Sequence, residues 1–332
     1  MGWYNYDRIM SYNALFNFIL SPRGNGKSYG GKERVIKNFL KKGSQFMYVR
    51  RYKDELKDVD KFFDDIREKF PNVDFKIKGK VALINDEVAG YFVSLSTSQK
   101  LKSVPYPNVT TILFDEFIVD KGHLRYLTNE VEVFLDLFET VARKRDNVKA
   151  IFLANNVSRV NPYFTYFKCI PKENERFTVA KDGEVVVEMF TDEQFIEEKY
   201  KTKFGKLIRN TSYGNYAINN KSLRDNDSFI QKFKPKNSQF LFSIKYKNKE
   251  IGFHISYEEG LWYCSSDVIQ TSKRRFTITK DDHDINLIMY NSLNSFPMFN
   301  DFVKYYKMGY VRFKNIEVKQ YVYDILQYMN IK

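Results

Sequence analysis

The segment NFILSPRGNGKSYGGK, Asn17 to Lys32, constrains this chain more than any other stretch. A short apolar run enters a turn rich in glycine and proline, and Gly-Lys-Ser then opens a segment of helical character that runs to about Lys41. A strand that turns through glycines into a helix brings backbone N–H groups and the positive end of the helix dipole to one point, which favours an anion. The spacing is close to G-x-x-x-x-G-K-[ST], the P-loop or Walker A pattern. Ser21 stands where that pattern has its first glycine, and Pro22 follows. On this reading Gly24 and Gly26 let the backbone turn and approach a phosphate closely. Lys27 reaches the β- and γ-phosphates of ATP, and the Ser28 hydroxyl binds Mg2+. Ser21, Arg23, Asn25 and Tyr29 complete the candidate nucleotide-binding residues. A plain structural turn is the competing account.

A second motif about 90 residues on decides between them. TTILFDEF is an apolar strand that ends in Asp115-Glu116. An aspartate at such a strand end beside a P-loop holds Mg2+, directly or through water, as a Walker B residue. The adjacent Glu116 is placed to polarise the attacking water as general base. The strand AIFLANN (150–156) ends in Asn155 and Asn156, and Asn155 is the candidate amide for the γ-phosphate or its water. ARKRDN (142–147) closes the intervening helix with three successive cations. Arg143 and Arg145 are candidates for an arginine inserted into a neighbouring subunit's site. A solvated helix end, favoured by the helix dipole, accounts for them equally well. Arg50 and Arg51, at the end of the strand SQFMYVR, are candidates for nucleotide sensing or DNA contact.

Around these motifs the chain alternates apolar strands with amphipathic helices: strands at 15–20, 44–50, 108–117 and 147–156, and helices at 26–41, 53–70 and 129–145. That order implies an α/β unit with a mostly parallel central sheet flanked by helices. Residues 75–96 read as short strands with a hairpin turn at Asn85-Asp86. The expected division is an ATPase domain over 1–207, with lid or linker helices at about 162–207, then a linker at 208–226. A C-terminal β-rich α+β domain follows over 227–332, with three strands within 238–266 and helical segments at 281–307 and 316–329.

Composition narrows the partners. A net charge of +13, from 54 basic and 41 acidic residues, points to a polyanion. Residues 208–332 carry 19 of the bases against 12 acids, so the charge is denser there. Two cysteines are too few for a disulfide framework, and three histidines far apart in sequence give little support to a His-based metal site. No apolar run approaches the ~20 residues needed to span a bilayer, and no secretory leader is expected at the N-terminus.

Taken with SPRGNGKSY and YPNVTTILFDEF, the blocks QFMYVRRYKDEL, TVARKRDNV, NNVSRVNPYF and KFGKLIRNTSYG occur in an order and spacing that resembles the DNA-packaging ATPases of small tailed phages with protein-primed genomes. The resemblance covers nearly the whole chain. It implies a P-loop motor of the additional-strand, catalytic-glutamate (ASCE) class, related to large terminases. Such motors form rings, pentameric by the same resemblance, at the portal of an empty prohead, and drive double-stranded DNA inward by ATP hydrolysis. The expected setting is the bacterial host's cytoplasm, on the prohead; an accessory packaging RNA between motor and prohead is left open. Gly26, Lys27 and Ser28 then match Walker A, Asp115 Walker B, Glu116 the catalytic glutamate and Arg143 the trans-acting arginine.

The same resemblance implies that the C-terminal part is a vestigial RNase H-like nuclease domain. A two-metal nuclease needs carboxylates clustered on converging strand ends, and neither FLFSIKY nor GFHISY carries an acid. Nuclease activity is therefore not expected, and the domain is read as gripping DNA. Lys232, Lys234, Lys236, Lys245, Lys247, Lys249, Lys273, Arg274 and Arg275 are its candidate phosphate contacts. Two alternatives stay open: a full terminase with an active nuclease, and a nucleotide-regulated DNA-binding protein without turnover.

Overall fold

The computed structural model describes residues 4–119, 125–171, 175–219, 229–290, 296–329 and 331. The chain divides into two compact units, Met1–Arg224 and Asp225–Lys332.

In the first unit the order is α1 (Asp7–Met10), β1 (Phe16–Leu20), α2 (Lys27–Lys42), β2 (Gln45–Arg50), β3 (Phe75–Lys78), β4 (Val81–Ile84), β5 (Glu87–Ser94) and β6 (Val109–Asp115). It continues with α3 (Glu130–Ala142), β7 (Lys149–Ala154), α4 (Pro162–Phe167), β8 (Phe177–Ala180), β9 (Val185–Met189), α5 (Glu193–Lys201), α6 (Lys203–Ile208) and α7 (Ser212–Ala217). The sheet order is β3-β4-β5-β2-β6-β7-β1-β9-β8. Strands β5, β2, β6, β7, β1 and β9 run parallel, with antiparallel partners at both edges. Leu20, Arg50, Asp115, Ala154 and Met189 therefore all finish at one sheet edge. One strand, β7, stands between the loop strand β1 and the acidic strand β6.

Burial explains the apolar residues of β1, where all five positions, Asn17 included, are buried. Phe16, Phe18 and Leu20 enter the cluster that holds Phe134 and Leu137 of α3 and Phe164 of α4. Ile19 joins Leu113, Leu153 and Val186 under Tyr4, Tyr6 and Ile9 on the other side. Each such large side chain contributes about 1.5–3 kcal/mol on burial. Helix α2 buries Val35, Ile36 and Phe39 and stops at Gly43, whose φ of 65° suits a left-handed cap. Gly30 is small for a packing reason: a Cβ there would meet the Tyr6 ring at 2.9 Å.

Three sequence expectations fail in this unit. The 53–70 stretch is not one helix but three single 3-10 turns, Lys53–Leu56, Val59–Lys61 and Arg67–Lys69. Its apolar residues are still buried: Leu56, Phe62, Phe63 and Ile66 pack with Phe46, Phe75 and Phe92. Five aspartates between 54 and 65 repel one another and offer local backbone bonds that compete with a helix. The 162–207 region is not wholly lid, because β8 and β9 form a hairpin that extends the main sheet through parallel pairing of β9 with β1. The β-branched run Val185–Val187 was its signal. Finally, part of the expected 208–226 linker belongs to the core: Ala217 and Ile218 are buried in the cluster of Phe16 and Phe18. Residues 220–226 lie outside the described residues.

The second unit comprises β10 (Gln239–Tyr246), β11 (Lys249–Ser256), β12 (Leu261–Ser265), β13 (Arg275–Thr277), β14 (Ile288–Met289), α8 (Pro297–Lys307), β15 (Val311–Phe313) and α9 (Ile316–Tyr328). Its sheet runs β14-β13-β10-β11-β12-β15. The first three strands are antiparallel, and β13 and then β14 add parallel to β10. From β12 to β14 this is the 3-2-1-4-5 order of an RNase H-like fold. Phe242, Phe253 and Trp262 of the sheet pack with Phe299 and Phe302 of α8 and with Val322 and Ile325 of α9. The helix expected from 281 starts only at Pro297, the position where a proline costs no hydrogen bond. Upstream, Asp282 accepts from the backbone N–H of Lys247 (2.8 Å) and Asn248 (2.7 Å), and so caps the β10–β11 turn rather than a helix.

One buried ion pair fixes the end of β6. Arg51 is 2 % exposed and donates through Nε to Glu130 Oε2 at 2.7 Å and through Nη2 to Oε1 at 2.9 Å. Its remaining N–H groups reach the carbonyls of Glu116 and Phe117, just past the strand. Glu130 also accepts from Leu127 N (2.8 Å) and Tyr163 OH (3.1 Å). Arg51 therefore clamps a strand tip, its N–H groups held by protein acceptors rather than open at the surface. Because breaking such a pair leaves an uncompensated buried charge, Glu130→Gln is expected to lower stability by about 3–5 kcal/mol in urea unfolding. An unchanged midpoint would refute the clamp.

Candidate active site

The loop between β1 and α2 holds its two left-handed positions at glycines, Gly24 with φ 78° and Gly26 with φ 80°. Ser21 is not among the residues of positive φ, so its position makes no demand for glycine. It is fully buried, and its N–H extends the β1–β7 pairing to Ala154 O at 3.4 Å. Asn25 is also buried, with its backbone carbonyl accepting from Tyr4 N at 3.1 Å and both polar side-chain atoms without a partner among the described residues. Arg23 is exposed at the loop surface. Tyr29 packs against the hydrophobic cluster beneath α2, with the Lys69 ammonium 5.8 Å from its ring centre, so its ring belongs to the core side of the helix.

Three strands bring side chains to this loop. Lys27 Nζ donates to Asn155 Oδ1, at the end of β7, at 2.6 Å. Ser28 Oγ donates to Asp115 Oδ1, at the end of β6, at 3.2 Å. Tyr48, from β2, donates its hydroxyl to the other carboxylate oxygen of Asp115 at 3.2 Å. Burial first, and the Asp115 carboxylate second, push the Tyr48 phenol well above its ordinary pKa, which keeps it a donor. Tyr48 was missed in the sequence reading because a tyrosine inside an apolar strand carries no motif. Glu116 follows with a left-handed φ of 57°, a conformation that costs a non-glycine residue about 1–3 kcal/mol. The Arg51 clamp holds its carbonyl. Its Oε2 accepts from Arg50 Nη2 at 2.7 Å, and Arg50 also binds Glu55 at 2.8 Å.

The two arginines after α3 separate. Helix α3 ends at Ala142, so both lie beyond it, at the sheet edge where β7 begins and roughly 20 Å from the tips of β6 and β7 by strand rise. Arg143 is exposed, with φ 50°. Arg145 is committed to backbone carbonyls: Pro107 (2.7 Å) and Val109 (2.9 Å) through Nη1, and Tyr106 (2.9 Å) through Nη2, with Val141 as a fourth. It pins the connection into β6 and is not available as an inserted arginine.

In the second unit Lys232, Lys234, Lys236, Lys247, Lys273 and Arg274 are exposed. Three other candidates are engaged. Arg275 binds Glu250 through two nitrogens at 2.9 and 2.8 Å, Lys249 pairs with Glu317, and Lys245 lies 3.6 Å from Asp284.

An apolar strand, a glycine-turned loop, a lysine-serine helix start and an acidic strand two places away define a P-loop nucleoside triphosphatase fold. The inserted strand β7, tipped by an amide, places it in the ASCE class. Over residues 1–331 the chain matches the family model of the podovirus DNA encapsidation protein (Gp16), and it belongs to that family. It is 39% identical over 324 residues to the DNA packaging protein of Bacillus phage B103, covering 98% of this chain and all of that protein. Its fold matches the bacteriophage phi29 genome packaging motor assembly with a TM-score of 0.80 at 36% identity, over 99% of this chain and 100% of that one. The N-terminal domain of the phi29 DNA packaging ATPase matches at 43% identity and a TM-score of 0.55, over 58% of this chain and 98% of that domain.

Burial lowers the pKa of Lys27 from 10.5 to about 8, with the charge of Arg23 acting in the same direction and Asp115 and Glu116 opposing it. The unfolded chain thus binds more protons than the folded one between about pH 8 and 10.5, so nucleotide-free stability rises with pH across that window and the penalty is fully present below it. Lys27→Met, which removes the buried ammonium, is expected to stabilise the nucleotide-free protein at pH 7 by on the order of 1–3 kcal/mol while abolishing ATP binding. Thermal melting with and without ATP reads both effects.

Proposed function

We propose that this chain is an ATP-driven motor that translocates double-stranded viral DNA into a prohead, working as a ring whose active sites are completed at subunit interfaces. The observation that carries the reading is the meeting of Lys27, Ser28, Asp115, Glu116 and Asn155 at one sheet edge. The loop N–H groups and the buried Lys27 ammonium suit a triphosphate. The Ser28 hydroxyl and the Asp115 carboxylate, hard oxygen donors 3.2 Å apart, suit Mg2+. When bound there the ion neutralises charge on the β- and γ-phosphates. Glu116 orients the attacking water and takes its proton; Arg50 engages only one of its oxygens, and the side chain is 55 % exposed. Asn155 positions the γ-phosphate or that water.

Arg143 lies too far from its own chain's cradle to serve it, which supports a role in the neighbouring subunit's site. Portal, prohead and an accessory RNA are proposed partners on family grounds. For the second unit we propose DNA gripping without cutting. Its RNase H-like strands β10 and β13 pair Ser243 with Arg275 and Lys245 with Thr277, and the nearby Glu250 is neutralised by Arg275 and bonded to Ser243. A carboxylate so engaged is a poor metal ligand.

DNA-stimulated ATPase assays test the motor. Glu116→Gln is expected to cut turnover by about 10²–10⁴-fold with nucleotide binding intact. Arg143→Ala is expected to cost about a thousandfold, and mixing it with Glu116→Gln subunits should restore activity because some interfaces then hold both groups. Failure to recover at any ratio would sink the trans assignment. Incubation of supercoiled plasmid with Mg2+ or Mn2+ should leave it intact; nicking lost on mutation of a C-terminal aspartate would favour the full terminase instead.

A further inference from the structure

Helix α5 brings a cation to the P-loop that the hydrolytic scheme above does not use. Strand β9 runs parallel to β1 and ends beside it, Met189 opposite Leu20, so the chain that follows emerges at the same edge as the loop. Asp192 caps α5 by accepting from Gln194 N at 2.9 Å, and Ile196 and Tyr200 pack it onto the main core. Those two anchors fix the face on which Lys199 stands. Its ammonium lies against the apex of the loop: a Cβ on Gly24 would sit 3.3 Å from Lys199 Nζ and 3.8 Å from its Cε. Among the described residues no carboxylate lies within ion-pair distance of Lys199, although Glu193, Glu197 and Glu198 share its helix. Its ammonium also lies 5.4 Å from the centre of the Phe195 ring.

That placement puts a cation among groups that already favour an anion. The loop presents N–H dipoles and a helix N-terminus, and Lys27 and Arg23 already add positive charge. A third cation at the apex adds to a setting that suits a polyanion seated among them. Gly24, having no side chain, leaves the close approach open.

We propose that Lys199 is a phosphate-contact residue, binding the β- or γ-phosphate of the nucleotide from above the loop and tying α5 to nucleotide occupancy. With phosphates present the ammonium bridges helix and loop; with them gone that link is lost. The α5–α6–α7 segment thereby acquires a direct reason to respond to the hydrolytic state. This inference rests on the nucleotide reading of the loop.

The test measures binding of ATPγS, ADP and AMP to the full chain by calorimetry. Lys199→Met keeps the aliphatic stem and is expected to weaken ATPγS or ADP about tenfold, with AMP affected least, as loss of one charge-assisted bond to phosphate predicts. Lys199→Arg should stay within about threefold of the unmodified chain. Thermal melting without nucleotide should be the same for both variants, and Lys199→Gln serves if Lys199→Met folds poorly. Unchanged ATPγS and ADP affinity in the neutral variant, or a loss that arginine does not restore, would overturn the assignment. Lys27→Ala run alongside separates the two readings: if it binds ATPγS normally, the cradle reading itself has failed rather than the role of Lys199.

Discussion

The buried pair between Arg51 and Glu130 is the contact on which the catalytic edge depends. Two ions removed from water are tolerated only when their hydrogen-bonding capacity is filled, and here the leftover capacity is what does the positioning. Glu130 takes up Leu127 N and Tyr163 OH, and the spare N–H groups of Arg51 take the carbonyls of Glu116 and Phe117. The result is a strand that stops sharply at Asp115 and turns left-handed at Glu116. Without that turn the two acids would continue the β alternation and face opposite sides of the sheet. With it, Asp115 stays beside Ser28 while the Glu116 side chain swings out to Arg50 and solvent.

The sheet order supplies the rest of the geometry. A parallel α/β sheet gathers its strand ends at one edge, and the insertion of β7 between β1 and β6 places an amide between the loop and the acids. Lys27 is anchored on that amide at the expense of an ammonium buried in a poor dielectric, which is why its pKa falls. Burial makes the lysine costly without an anion and useful with one. Lys199, whose ammonium lies against Gly24, adds a further cation at the same loop.

Much of this was legible in the chain. The glycines of the loop, the acidic strand end and Asn155 were identified from spacing, since each motif is a local backbone requirement tied to a residue type. The Ser21 departure from the pattern leaves the left-handed positions of the loop untouched, because these are Gly24 and Gly26. What misled was periodicity without context. The 53–70 stretch has a helical spacing of apolar residues, yet its aspartates and the aromatic partners Phe46, Phe75 and Phe92 favour separate turns. Arg143 and Arg145 look equivalent two residues apart, but one is exposed and the other is locked onto carbonyls 36–39 positions away.

The sequence by itself determined the class of chemistry: a phosphate cradle, a serine–aspartate pair beside it and a basic C-terminal part, each fixed by residue type over a few positions. The tertiary structure alone decided which charges are free to act. Arg51, Arg145 and Arg275 are absorbed by partners distant in sequence, whereas Arg143 is exposed and Lys199 is carried to the loop by a strand pairing that no local pattern announces. A charge's availability depends on what the fold brings within about 3 Å of it, and that is a property of long-range packing rather than of spacing along the chain.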